Sequence, residues 1–284
     1  MVAGSNPVAP TISFLPDRLH TVLGYLIADL GVRLLPPALA DRLGVWLARG
    51  VFALRPPARR AAELNLSRLE PGLEPNRRRR LARLAFEHFA LVLVDFLRGG
   101  HRGTSDCAVT VRGRRHLDRA LATRRGVILL SAHIGHWERG AAFVAAAGAP
   151  LRVVARPHPH RWVEGFFRRR RLQAGVETLE GRPLWAPAAG ALRRGEWVAL
   201  LGDRAAGATG SVCGWAAVLA RRTGAIVLPA VMVRVAPRRY AACFGPPLSP
   251  RACAGGGYRA AMRRFLRRYP SQWCAFETLP PEWA

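Results

Sequence analysis

The stretch Gly126 to Gly140, GVILLSAHIGHWERG, does most to constrain what this chain can fold into. Val127-Ile128-Leu129-Leu130 is a short, continuous apolar run, β-branched at its start, which predicts a fully buried strand rather than one face of a helix. His133 stands just beyond the carboxyl end of that strand. In open α/β sheets this is where strand ends and helix amino termini converge on a crevice. Glu138 follows five residues later; on a regular helix residues so spaced lie about 140° apart, at ~100° per residue, and cannot share a face. The two meet if His133, Ile134 and Gly135 form a turn, which a glycine eases, and if Glu138 lies in the first turn of the next helix, where the backbone dipole favours a carboxylate. A carboxylate beside an imidazole fixes its tautomer and stabilises its protonated form, as a general base acting on a hydroxyl requires. A satisfied histidine with a solvated glutamate is the plainer alternative. His133 and His136 as metal ligands lack a convincing third ligand nearby, so no metal is expected.

The chain has 284 residues, half of them hydrophobic, enough to bury a sizeable core in one domain or two. Residues 16–100 predict a helical, membrane-associating section. Helix breaks are expected at Pro36-Pro37, at Pro56-Pro57 and between Pro71 and Pro75. Residues 101–284 predict an α/β section forming one integrated domain with it, with candidate strands at 126–131, 151–155, 197–201, 226–233 and 239–243 and helices between them. Gly255 to Gly257 reads as a turn before the last helix, since it lacks the lysine and the strand-glycine-helix context of a phosphate loop.

The formal charge is +26, and all 44 basic residues are arginine. Coding bias explains the absence of lysine, but the field still attracts anionic partners: lipid headgroups, nucleic acid or an acidic carrier protein. Arg77 to Arg80 and Arg83 open a segment in which Phe86, Phe89, Leu93 and Phe96 recur at helical spacing, and Arg168 to Arg171 follow Phe166-Phe167. Such basic amphipathic segments read as membrane-surface elements or as solvated helix faces. No zinc-finger, basic-zipper or RNA-binding signature is present, so no nucleic-acid partner is expected. The five cysteines form neither a metal pattern nor a disulfide framework and read as reduced thiols facing the cytosol. His20 to Leu35 is apolar but interrupted by Asp29 and Arg33, and it reads as interfacial or buried rather than spanning. Residues 1–15 lack the pattern of a signal peptide. They are expected to be disordered or a start placed too far upstream, because Gly4-Ser5-Asn6-Pro7 is what a transfer-RNA T-arm spells when read as codons.

Around His133 the sequence resembles the bacterial late lipid A acyltransferases and phosphatidylinositol mannoside acyltransferases, a branch of the lysophospholipid acyltransferase superfamily. That family is marked by a histidine, four intervening residues and an acidic residue, usually in a context such as HxGNWE. Here the motif reads HIGHWE, with His136 where an asparagine is usual. The resemblance runs from about Leu34 to Trp283. It takes in the pair Asn65-Leu66, Arg156, Arg171 with Gly175, the pair Asp203-Arg204, Thr223-Gly224, and the late YPSQW from Tyr269 to Trp273. The segment between Arg204 and Thr223 is shorter than in the family and lacks its aromatic-glycine loop and proline-glycine-proline turn.

The resemblance implies an α/β fold with a central mixed sheet flanked by helices and a helical amino-terminal section. It implies acyl transfer from an acyl carrier protein or coenzyme A thioester to a hydroxyl of a glycolipid or lysophospholipid. His133 would be the base, with Glu138 either orienting it or contacting the acceptor hydroxyl. Asp203 stands where some relatives place a second acid that assists the histidine. Backbone amides near Gly135, or Arg156, would face the oxyanion. Arg171 and Arg204 would hold phosphate groups, although Arg171, inside a run of four arginines, also reads as a structural ion pair. Ser131 lacks a nucleophile elbow, so no acyl-enzyme is expected. Trp137 and Trp273 read as acyl-groove or core residues. No cofactor is expected beyond the thioester cosubstrate. The expected partners are anionic membrane lipids, the thioester donor and a glycolipid acceptor. The expected location is the cytoplasmic face of the inner membrane, peripheral or with a short amino-terminal anchor. The rival expectation is a lipid-binding homologue impaired by the shortened loop.

Overall fold

The structure, a computed structural model, describes residues 18–102, 107–155, 157–179, 184–203 and 212–279. Residues 1–15, expected to be disordered or a misplaced start, lie outside the described residues. Four helices come first: α1 (Arg18–Leu34), α2 (Pro37–Leu54), α3 (Pro56–Leu69) and α4 (Pro75–Arg102). Prolines open the last three, as suits a residue whose missing N–H would have no helical partner at that position. The Glu74 carboxylate caps α4, accepting the N–H groups of Asn76 at 3.0 Å and Arg77 at 2.8 Å.

The apolar stripe of α4 packs within the protein. Phe86 is buried in a small core with Phe52, Leu66 and Ala82, and Phe96 stacks on Phe167. Of the other basic run, Arg170 is buried and ion-paired with Asp29. The apolar residues of the two segments are therefore turned inward, while Arg77, Arg79, Arg80, Arg83, Arg168 and Arg169 stay exposed as on a solvated helix face, and the outward apolar faces belong to α1 and α2. Ile27 is 61% exposed, Leu34 73%, Trp46 68% and Leu54 82%, with Leu23, Leu30, Leu43 and Leu47 between them. Among the described residues no helix is long and apolar enough to cross a membrane.

The α/β part continues as β1 (Ala108–Arg112), α5 (Arg114–Ala122), β2 (Val127–Ser131), α6 (Trp137–Ala146), β3 (Leu151–Val153), α7 (Arg161–Gln173), β4 (Glu177–Thr178), α8 (Trp185–Arg193), β5 (Trp197–Leu201), α9 (Val212–Thr223), β6 (Ile226–Ala236) and β7 (Arg239–Phe244). A short α10 (Pro250–Ala252) then runs through a π-helical turn at Cys253–Gly257 into α11 (Tyr258–Arg268). The glycines expected to form a turn thus kink a nearly continuous helix, with Gly256 at φ 94°. The strands form a seven-stranded sheet in the order β1-β7-β6-β2-β5-β3-β4, parallel except for the β6/β7 pair. It is α/β and mixed.

The five expected strands are present, β5 with the expected bounds and the other four with one end shifted. β1 and β4 were not legible beforehand: β1 alternates exposed and half-buried positions, and β4 has only two residues. β2 lies between the parallel neighbours β5 and β6. Both of its faces are covered, Ile128 and Leu130 in one core and Val127 and Leu129 in the other. Burial on both faces is why this strand is continuously apolar rather than alternating.

Asn65 on α3 ties the helical section to the end of the chain. Its Nδ2 donates to the carbonyls of Ala275 at 3.1 Å and Glu277 at 2.7 Å, and its Oδ1 accepts the Leu279 N–H at 3.1 Å. The segment that follows the 3₁₀ turn at Pro270–Gln272 is thereby fixed against α3.

Candidate active site

β2 and β5 are adjacent and parallel, so their carboxyl ends open side by side, and each delivers one acid–base group. At the end of β2 the Ser131 carbonyl accepts the Gly202 N–H at 2.7 Å and the Tyr258 hydroxyl at 2.5 Å. Gly202 must be glycine here, since a Cβ would come within 2.8 Å of the Tyr258 ring. The next residue after Gly202 is Asp203. Its Oδ1 lies 2.8 Å from His133 Nδ1, and its Oδ2 accepts the His133 backbone N–H at 3.0 Å and the Trp273 indole N–H at 3.2 Å.

Asp203 is fully buried. A carboxylate taken out of water needs such donors, because burial disfavours its charged form. A carboxylate accepting at Nδ1 places the ring proton there and leaves the lone pair on Nε2. The His133 side chain is 17% exposed, and among the described residues Nε2 has no hydrogen-bond partner.

The loop after His133 is held from several directions. Gly135 has φ 63°, and a Cβ there would lie 2.0 Å from the Met232 carbonyl. Its N–H donates to Gln272 O at 2.9 Å, while the His136 N–H reaches Met232 O at 2.7 Å and the Ile134 N–H folds back to Ala132 O at 2.7 Å. The amides of Ile134, Gly135 and His136 are thus engaged within the fold. The Cys274 N–H closes the loop on the His133 carbonyl at 2.8 Å. Gln272 fixes the clamp itself: its side chain accepts the Arg234 N–H at 2.9 Å and donates to the Arg234 carbonyl at 2.7 Å.

His136 caps α6, accepting the Arg139 N–H on Nδ1 at 3.2 Å. Asparagine is among the best residues for such a cap, so the histidine here fills a role that an asparagine could also fill. Burial pushes the His136 pKa well below its ordinary value, and the Arg139 and Arg234 charges push the same way. This histidine is therefore neutral.

Glu138 lies in the first turn of α6 as expected, but its partner is Arg171 on α7 rather than His133. Arg171 Nη2 reaches Oε1 at 2.6 Å, and Nε reaches the two carboxylate oxygens at 3.2 and 3.0 Å. Both side chains are largely buried. Burial opposes the Arg171 charge, yet the Glu138 carboxylate more than offsets it and holds the guanidinium pKa above its usual value. Of the two readings of Glu138, orientation of His133 is taken over by Asp203. Trp137, the residue before Glu138, sets its ring edge-on to the His133 imidazole at 5.1 Å and stacks on Phe89 of α4 at 6.3 Å.

Arg156 and Arg204 lie outside the described residues. Ser131 turns its hydroxyl toward the Ala132 carbonyl at 3.5 Å. Among the described residues no group of three histidine, cysteine, aspartate or glutamate side chains is placed to hold a metal, and none of the five cysteines is assigned to a disulfide. Sequence reasoning missed the contacts of Gln272, Tyr258 and Trp273. The signal was the YPSQW block itself, whose polar glutamine next to a tryptophan is unusual for simple core.

No curated protein shows significant sequence similarity to the chain. Among solved structures, the crystal structure of the 1-acyl-sn-glycerophosphate (LPA) acyltransferase PlsC from Thermotoga maritima matches with a TM-score of 0.39 at 13% identity, covering 83% of this chain and 97% of that one. The model of the bacterial lipid A biosynthesis acyltransferases matches residues 12–264. The chain belongs to that family, the bacterial lipid A biosynthesis acyltransferases.

Proposed function

We propose that this acyltransferase moves a fatty acyl chain from an acyl carrier protein or coenzyme A thioester to a hydroxyl of a glycolipid or lysophospholipid, with His133 as the general base. The pairing of His133 Nδ1 with the buried Asp203 carboxylate carries this reading. It directs the free lone pair of Nε2 outward and stabilises the imidazolium once a proton arrives. In the step, the acceptor oxygen bonds to the thioester carbonyl carbon as its proton passes to Nε2. Collapse of the tetrahedral intermediate breaks the carbon–sulfur bond, and the proton leaves with the thiolate. Trp137 packs beside the base and limits water there. The Glu138–Arg171 pair fixes α6 against α7 and offers a guanidinium near the base for a phosphate on either substrate. Arg156 and Arg204 are retained as further candidates for oxyanion and phosphate contacts.

The outward leucines, isoleucine and tryptophan of α1 and α2 support peripheral docking on the cytoplasmic face of the inner membrane. Exposed apolar patches of that kind mark interaction with a partner or a bilayer. The test supplies purified protein and source lipid extract with isotope-labelled acyl carrier protein or coenzyme A thioesters, then reads the lipids by mass spectrometry. A lipid that gains one labelled acyl chain identifies donor and acceptor together. Extract binding with no transfer from either donor would replace this reading by a lipid-binding role.

A further inference from the structure

Every charged residue between Asp203 and Glu277 is an arginine. These arginines are densest on α11, YRAAMRRFLRR, which holds no acid. Tyr258, Met262 and Leu266 recur every four residues and are fully buried, so they form the inward stripe of the helix. Arg264, Arg267 and Arg268 point away from that stripe and are exposed.

Both ends of α11 reach the candidate active site. Tyr258 donates its hydroxyl to the Ser131 carbonyl at the end of β2, and Tyr269, just past the helix, leads into the turn whose Gln272 and Trp273 hold the base loop and Asp203. Arg112, at the end of β1, joins the same surface. Its Nη1 donates to the Tyr269 hydroxyl at 2.6 Å, and Arg268 Nε donates to the same oxygen at 3.2 Å. Sheet register sets Arg112 level with the base loop, since Arg112 pairs with Cys243, Cys243 with Val231, and the next residue, Met232, with Gly135. β1 is three strands from β2, about 14 Å at ~4.8 Å per strand.

Among the described residues Arg112, Arg259, Arg264, Arg267 and Arg268 pair with no carboxylate. The basic runs of α4 and α7 differ, since Glu87 pairs with Arg83, Asp29 with Arg170 and Glu138 with Arg171. Two guanidiniums that share one neutral phenol oxygen repel each other, and an anionic partner set against them relieves that repulsion. From Arg259 to Arg268 the helix runs about 14 Å at ~1.5 Å per residue, a span that suits an extended acidic surface better than a single phosphate. A bilayer-binding helix turns large apolar residues outward beside its basic ones. α11 exposes none, whereas α1 and α2 expose many.

We propose that α11 with Arg112 is the docking surface for an acidic carrier protein, which delivers its acyl thioester to His133 from there. This rests on the acyl-transfer reading above and assigns the donor's side of it.

The test titrates holo acyl carrier protein, bearing no acyl chain, into the full chain and reads binding by fluorescence anisotropy at several salt concentrations. Wild type should bind, and more weakly as salt rises, because exposed charges are screened. The Arg264→Ala/Arg267→Ala/Arg268→Ala variant should bind about tenfold more weakly, and Arg264→Glu should weaken binding as well. Arg77→Ala/Arg79→Ala/Arg80→Ala removes as many exposed charges from α4 and should bind as wild type does. Thermal unfolding checks that each variant is folded. No binding by wild type would overturn the proposal, and so would equal losses in the two triple variants, which would trace the attraction to net charge alone. A triple α11 variant that lost binding to phosphatidylglycerol vesicles but kept the carrier protein would overturn it in favour of a bilayer contact. The unacylated carrier undergoes no transfer, so these outcomes are separate from the proposed activity: acyl transfer from a coenzyme A thioester without carrier binding would leave that activity standing and the docking surface refuted.

Discussion

Trp273 donates its indole N–H to Asp203 Oδ2 at 3.2 Å, while the same carboxylate holds the imidazole of His133 through its other oxygen. The YPSQW block and the β5 end, distant in sequence, therefore set the position of the base together. Trp273→Phe keeps the packing and removes the donor. Turnover should fall about tenfold, because an ionised carboxylate loses a hydrogen bond worth roughly 1.5–3 kcal/mol and binds its proton more readily. Steady-state kinetics against pH would show the lower kcat and an acid limb moved to higher pH; an unchanged profile would mean that the indole contact is packing alone.

Gly135 occupies a place that no side chain fits. Its φ of 63° is in the left-handed region, and a Cβ would stand 2.0 Å from the Met232 carbonyl. Gly135→Ala should lower stability by at least ~2 kcal/mol, from the backbone conformation and the clash combined. Gly31→Ala, in open space on α1, serves as the control, and denaturant melts of the two variants give the comparison. Equal midpoints would refute the tight register of the loop against β6.

Glu138 and Arg171 form a largely buried pair, so removing either partner leaves the other charge uncompensated. Glu138→Gln and Arg171→Gln should each destabilise the fold by about 3 kcal/mol. The double variant should lose clearly less than the sum, since the residues share one interaction. A double-mutant cycle in urea measures the difference, and simple additivity would count against the pair.

Two histidines make the fold sensitive to acid. Burial and Arg234 push His88 down to about 4, and burial with Arg139 and Arg234 pushes His136 well below 6.5. Below pH 6.5 the unfolded chain takes up protons that the folded chain refuses. Stability is therefore lost as pH falls from about 6.5 toward 4, with a slope approaching ~1.4 kcal/mol per pH unit for each histidine. His136→Asn keeps the α6 cap, and combined with His88→Gln it should flatten that slope. Denaturant melts at several pH values between 7.5 and 4.5 decide the matter, and identical slopes in wild type and variant would exclude the histidines as its cause.

Much of the site was legible because it is local. The apolar run of β2, the turn at Gly135 and the helix bearing Glu138 follow from residue types over fifteen positions. The partner of His133 was named only through resemblance, as the second acid at Asp203, since local pattern does not reach it: Asp203 comes to the histidine through the pairing of β2 with β5. Charge attraction alone made Glu138 as good a candidate. It is Arg171, brought by α7, that occupies both Glu138 oxygens. The basic amphipathic segments left open what their apolar faces meet. The phenylalanines of α4 have helical periodicity, which shows that a face is buried but not against what. Edge strands β1 and β4 lacked the double-sided burial that made β2 plain. The tie from Asn65 to the chain end depends on contacts across more than two hundred residues, beyond the reach of any local pattern.

The central claim is that His133, held by Asp203, takes the acceptor's proton. Its most direct test compares turnover of wild type, His133→Ala and Asp203→Asn on the same labelled thioester and lipid acceptor, with thermal unfolding as a check on folding. The account predicts a loss of at least ~10²-fold in kcat for both folded variants, the usual scale of general-base help. Near-normal turnover in a folded His133→Ala would contradict it.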